Sequence, residues 1–106
     1  MDLKREAERR AILKAQYREL FAELTRIFAE EDPKGLMNDD GSNADEYEGE
    51  VGTILPRLPE CDSCEDVQGV ILDEFNRWFN GDGGNAYIHR HSAERIWEAW
   101  NTHKQR

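Results

Sequence analysis

In the stretch Cys64-Glu65-Asp66-Val67-Gln68-Gly69-Val70-Ile71-Leu72-Asp73-Glu74-Phe75-Asn76-Arg77-Trp78-Phe79, the apolar residues Cys64, Val67, Ile71, Phe75 and Trp78 recur at helical steps, with Val70 and Phe79 beside them. Steps of three and four align on one face of a helix with 3.6 residues per turn. Asp62 or Ser63 is available to cap it, and Glu65 and Asp66 suit the positive end of its dipole. Gly81, just past Asn80, suits a left-handed C-terminal cap. This is the best buried helix of the chain.

Upstream, Leu13, Tyr17, Leu20, Leu24 and Ile27 form a second stripe, flanked by Phe21 and Phe28. It predicts one long N-terminal helix of about 25 residues or more, capped by Asp2 and stopped before Pro33. Residues 1–10 mix Lys, Arg and Glu with little to bury. They predict a solvated helix end at Lys4, Arg5, Arg9 and Arg10 rather than a basic docking site.

Pro33, Gly35, Asp40-Gly41 and Asn43 mark residues 33–43 as a loop. Ser42-x-x-Asp45 resembles a capping box that opens a short second helix, on which Tyr47, Val51, Ile54, Leu55 and Leu58 share a face. Gly49 and Gly52 weaken that helix, and Pro56 ends or kinks it. Residues 81–85 read as a mobile surface loop. In the last helix His89, Ala93, Ile96, Trp100 and His103 form the stripe, with Trp97 adjacent and Ser92 a candidate break. Lys104 and Arg106 favour its C-terminal dipole. With no convincing strand and no repeat, the expectation is an all-α single domain over 1–106, a small four-helix bundle-like fold with a long N-terminal helix.

The chain has 106 residues and a net charge of −9. Residues 31–66 carry twelve acidic and two basic groups, so nearly all the acidity is one central block. Such a block repels phosphate backbones and anionic lipid, which argues against direct nucleic-acid or membrane binding and for a partner protein with a basic surface. No run of eighteen apolar residues exists, the N-terminus is charged where a signal peptide needs an apolar stretch, and only two cysteines are present. These features predict a cytoplasmic protein.

Asp32-Pro33-Lys34-Gly35-Leu36, then Asp45-Glu46-Tyr47, Val51 with Ile54-Leu55, Phe75-x-x-Trp78-Phe79 and Ile96-Trp97 follow one another in an order that resembles the short bacterial proteins grouped as domain of unknown function 1871. The resemblance covers roughly residues 32–100. It implies a compact helical domain and carries no established activity. The chain departs from the pattern at Gly49, Gly52, Pro56 and residues 81–84, which bears on the length of the second helix.

Cys61-Asp62-Ser63-Cys64 places two thiols at a helix start, where the dipole lowers a thiol pKa. No strand precedes the pair as a thioredoxin needs, and Glu60, Asp62, Glu65 and Asp66 oppose thiolate formation. A zinc set would join Cys61 and Cys64 to His89 and His91, but imidazoles two apart on a helix diverge by about 200°. The expected reading is therefore no metal and no cofactor, with a metal-binding or redox-sensing domain as the alternative. The acids around Asn38, Asp39, Asp40, Asp45 and Glu50 fit the EF-hand spacing in no register. No phosphate loop, nucleophile elbow or His-Glu-x-x-His motif points to an enzyme.

Tyr17, Tyr47, Trp78, Tyr87, Trp97 and Trp100 are core by default, Tyr47 and Tyr87 being the best placed for exposure. The expected function is a non-enzymatic acidic protein-binding domain, an inhibitor of the toxin-immunity or phage anti-defence type. Asp39, Asp40, Asp45, Glu46, Tyr47, Glu48 and Glu50 are the candidate partner-binding residues, and self-association is a further option.

Overall fold

Five α-helices and two 3₁₀ turns, with no strand, make up the described residues of the computed structural model, which cover 3–105 except the side chains of Leu3 and Glu6. The all-α class is as expected, but the long N-terminal helix is two: α1 (Leu3–Gln16) and α2 (Arg18–Glu31). Asp2, the expected cap, lies outside the described residues. The helix unwinds at Tyr17, where φ is −121° and ψ 40°. Hydrogen bonds from Tyr17 N–H to the Leu13 carbonyl and from Phe21 N–H to the Tyr17 carbonyl, each 2.8 Å, bracket the break. The Tyr17 ring packs on His103, 5.6 Å between centroids. Beyond the break α1 lies against α3 (Glu48–Ile54).

The expected helix start at Ser42 is also displaced. Residues 42–47 are turns, and the Ser42 hydroxyl accepts from Asn38 Nδ2 at 2.9 Å instead of capping a helix. Pro56 does not end the helical path. It tightens it into a 3₁₀ segment, Leu55–Glu60, consistent with a residue that cannot donate to a preceding carbonyl. Gly49 and Gly52, which weaken the helix by propensity, are its contact points. A Cβ at Gly49 would stand 2.9 Å from the Trp78 ring, and one at Gly52 would stand 2.7 Å from Cγ of Arg10. The bare Gly49 lets Trp78 lie on α3, where its indole N–H donates to Thr53 Oγ1 at 3.0 Å, and the bare Gly52 lets the Arg10 side chain pass over the same helix.

In α4 (Cys64–Trp78) Ser63 is the cap, its hydroxyl accepting from Asp66 N–H at 3.1 Å. Asn80 (φ 53°) and Gly81 (φ 86°) turn the chain through the left-handed region. Residues 81–85 are not a free loop. Gly83 is buried, its N–H donates to Asn76 Oδ1 at 2.9 Å, and its carbonyl accepts from His89 Nε2 at 2.7 Å. A 3₁₀ turn, Tyr87–His89, leads into α5 (Arg90–Lys104), which runs unbroken through Ser92.

Leu20, Leu24, Phe28, Val51, Ile54, Val67, Ile71, Phe75, Ile96 and Trp100 belong to one buried cluster to which α2, α3, α4 and α5 all contribute. Phe75 is its hub, with the rings of Phe28, Phe79 and His89 centred 5.4, 5.7 and 4.8 Å away. At the surface Arg95 clasps α5 to α2, reaching Glu30 at 2.5 Å and Glu31 at 3.0 Å.

Candidate protein-binding surface

Asp32 ends α2 in a left-handed conformation, φ 46°. Its Oδ1 accepts from Leu36 N–H at 2.8 Å, Met37 N–H at 3.2 Å and the Tyr47 hydroxyl at 2.7 Å. The Lys34 N–H donates to that hydroxyl at 3.1 Å. Further along, Asn43 Oδ1 accepts from Asn38 N–H at 2.8 Å, and its amide nitrogen donates to the Leu36 carbonyl at 2.7 Å. Asp40 Oδ1 accepts from Ser42 N–H at 2.9 Å. An irregular segment is thus cross-braced by short polar side chains, the usual use of Asx groups in turns.

The brace divides the seven residues expected to bind a partner. Asp39, Asp40, Asp45 and Glu46 are exposed, and among the described residues none is ion-paired to a Lys or Arg. The Ser42 amide and hydroxyl hold the Asp40 carboxyl below its ordinary range. Glu48 is engaged by Lys14 at 2.8 Å. Glu50 is only 6% exposed, and burial, aided by the nearby Glu46 charge and opposed by Arg10, lifts its pKa to about 7. Tyr47 is 0% exposed, with a phenol pushed upward by burial and by its bond to Asp32. Glu50 and Tyr47 therefore belong to the interior and present nothing to a partner. Tyr87, the other aromatic placed for exposure, is 80% exposed.

One wall of a groove of about 590 Å³ is made by Ala44 and Asp45 of this turn and Glu48 at the start of α3. The rest is made by the outer faces of α1 and α2. Phe21 and Thr25 lie in its floor, Ala15, Ala22 and Ala29 line it, and Lys14, Arg18, Arg26 and Glu30 ring it. The sequence carries a signal for it in alanines seven apart at 15, 22 and 29, of which Ala22 and Ala29 share a face of α2 and Ala15 lines the groove from α1. The groove escapes a reading of large apolar residues because its lining is small.

The cysteines and histidines do not converge. The Cys61 thiol is buried and points at the Arg57 carbonyl, 3.6 Å away, while Cys64 is half-buried. Burial raises both thiol pKa values, with Asp66 adding to the first and Glu65 to the second. His89 is fully buried on Gly83, and His91 is exposed with Nδ1 2.8 Å from Glu31 Oε1. Among the described residues no three metal-competent side chains form a group. Cys61, His89 and His91 are each engaged by a different group: the Arg57 carbonyl, the Gly83 carbonyl and Glu31.

Tyr47 bonds through its hydroxyl to both Asp32 and the Lys34 amide, and its ring stacks on Phe75 with centroids 6.1 Å apart. No helix among the described residues is long and apolar enough to cross a membrane. Comparison with protein-family models, curated proteins and solved structures returns no match.

Proposed function

We propose that this chain is a non-enzymatic protein-binding domain that engages a basic surface on a partner through Asp39, Asp40, Asp45 and Glu46. The supporting observation is the turn itself: four exposed carboxylates without a cationic partner among the described residues, on a backbone braced by Asp32, Asn38, Asn43 and Tyr47. Bracing lowers the ordering cost of binding, and unneutralised charge speeds encounter with a cationic surface. Carboxylates so displayed occupy positions where a nucleic-acid-binding target expects phosphate. The reading therefore extends to an inhibitor of the toxin-immunity or phage anti-defence type.

Affinity capture at low and high salt, followed by association kinetics on the captured partner, tests this reading. Replacing Asp39, Asp40, Asp45 and Glu46 by Asn and Gln is expected to slow association steeply and to flatten its salt dependence. Replacing Lys4, Arg5, Arg9 and Arg10 by Gln is expected to leave binding intact. Loss of the partner in the second variant and retention in the first overturns the proposal and makes α1 the docking surface.

A further inference from the structure

We propose that the groove between α1, α2 and the 44–48 turn is filled by a second copy of this chain, in a two-fold dimer. Most charges around the groove are already matched within the chain. Lys14 reaches Glu48 at 2.8 Å, and Arg26 lies 3.9 Å from Glu30. Two are left over, Arg18 and Asp45, neither of which has an ion-pair or hydrogen-bond partner for its side chain among the described residues.

The leftover charges are of opposite sign, and that selects the occupant. A basic segment from another protein matches Asp45 and leaves Arg18 facing like charge; an acidic one does the reverse. A second copy supplies both, because in a two-fold interface the same patch meets itself and Arg18 of each chain can meet Asp45 of the other. Shape is complementary in the same sense. Ile12 is 65% exposed, one turn before Ala15 on α1, so a large apolar knob stands beside a groove walled by alanines. In the proposed dimer the Ile12 of each copy enters the alanine-walled groove of the other. A standard interface needs about 800 Å² from each partner. That is about an eighth of the 6532 Å² surface of this chain.

This inference does not rest on the basic-partner reading, since it concerns the purified chain alone; the two readings share Asp45, while Asp39, Asp40 and Glu46 lie outside the dimer contact and report on the basic partner only.

Analytical ultracentrifugation of the full chain from about 1 µM to about 1 mM, the span of weak to moderate affinities, is the test. A monomer–dimer equilibrium is expected. Ala22→Arg, which fills the groove from an exposed helical position, is expected to leave a monomer. Ile12→Ser is expected to weaken the dimer about tenfold or more, since each dimer loses two buried side chains. Arg18→Asp and Asp45→Arg are each expected to weaken it, and the double exchange to restore it. Circular dichroism shows whether each variant remains folded; should Ala22→Arg unfold, the charge exchange alone decides. A chain that stays monomeric throughout overturns the inference. So does a dimer indifferent to Ala22→Arg or Ile12→Ser, or a double exchange that recovers nothing.

Discussion

The Tyr47 hydroxyl donates a 2.7 Å hydrogen bond to the Asp32 carboxylate and at the same time accepts the Lys34 amide proton. An aromatic flanked in sequence by acids is thereby drawn into the core, where its ring stands 5.9 Å from that of Phe28. The same bond fixes the end of α2 to the start of α3, and so sets the position of the acidic turn between them.

Removing only that hydroxyl, as Tyr47→Phe, is expected to destabilise the protein by about 1.5 to 3 kcal/mol, the range for hydrogen bonds to charged groups. The ring and its packing remain, so the loss isolates the polar contact. Urea unfolding at neutral pH measures it. A change of a few tenths of a kcal/mol would mean that the turn holds without the Asp32 bond.

Phe75→Ala and Trp78→Ala are expected to differ although both lie on the α4 stripe. Phe75 is 0% exposed at the centre of the aromatic cluster, and its truncation is expected to cost about 3 to 5 kcal/mol. Trp78 is half-buried at the edge, lying on Gly49 with its indole on Thr53, so its loss is expected to cost less. Denaturant unfolding of both variants gives the order, and the reverse order would place the centre of the core nearer to α3.

The helical class and the core face of α4 follow from periodicity alone, because Val67, Ile71 and Phe75 can be buried together only on one side of a helix. What periodicity does not register is contact between distant residues. The break at Tyr17 involves neither Pro nor Gly. The roles of Gly49 and Gly52 depend on Trp78 and Arg10, which approach from other helices. The acidic block was visible as charge, but its division into exposed Asp39, Asp40, Asp45 and Glu46 and buried Tyr47 and Glu50 depends on Asp32, whose side chain folds back on the loop.

Gly83 and His89 yield a prediction with a definite pH direction. The Gly83 carbonyl only accepts, so His89 Nε2 carries the proton, and Nδ1 is buried without a hydrogen-bond partner among the described residues. Burial, with Lys34 nearby, lowers the imidazole pKa below 6.5 despite the Gly83 bond. Protonation thus favours the unfolded chain. The stability from neutral His89 is fully present above pH 6.5 and is lost as pH falls from there through the lowered folded value. Nuclear magnetic resonance titration of His89 is expected to give a pKa below 6.5. At Gly83 a Cβ would come within 2.5 Å of the Asn76 nitrogen and 2.6 Å of the Phe75 carbonyl carbon, both backbone atoms. Gly83→Ala is therefore expected to cost about 1 to 3 kcal/mol, as overpacking does.

Glu50 carries the opposite slope. Its folded pKa of about 7 exceeds the ordinary 4.5 chiefly because burial penalises the carboxylate, with Glu46 adding repulsion and Arg10 opposing. A raised acid binds its proton more tightly in the folded chain. The stability linked to it is fully present below pH 4.5 and is lost as pH rises through about 7. Glu50→Gln keeps the shape of the neutral carboxyl and cannot ionise. The variant is therefore expected to be more stable than the parent at pH 8 and to match it closely at pH 4. His89 titrates in both proteins, so the difference between their pH profiles isolates Glu50 from the opposing histidine. Urea unfolding of the pair across that range makes the measurement. A variant less stable than the parent at pH 8 would mean that the Arg10 charge outweighs burial, and that Glu50 is held in the fold as a carboxylate.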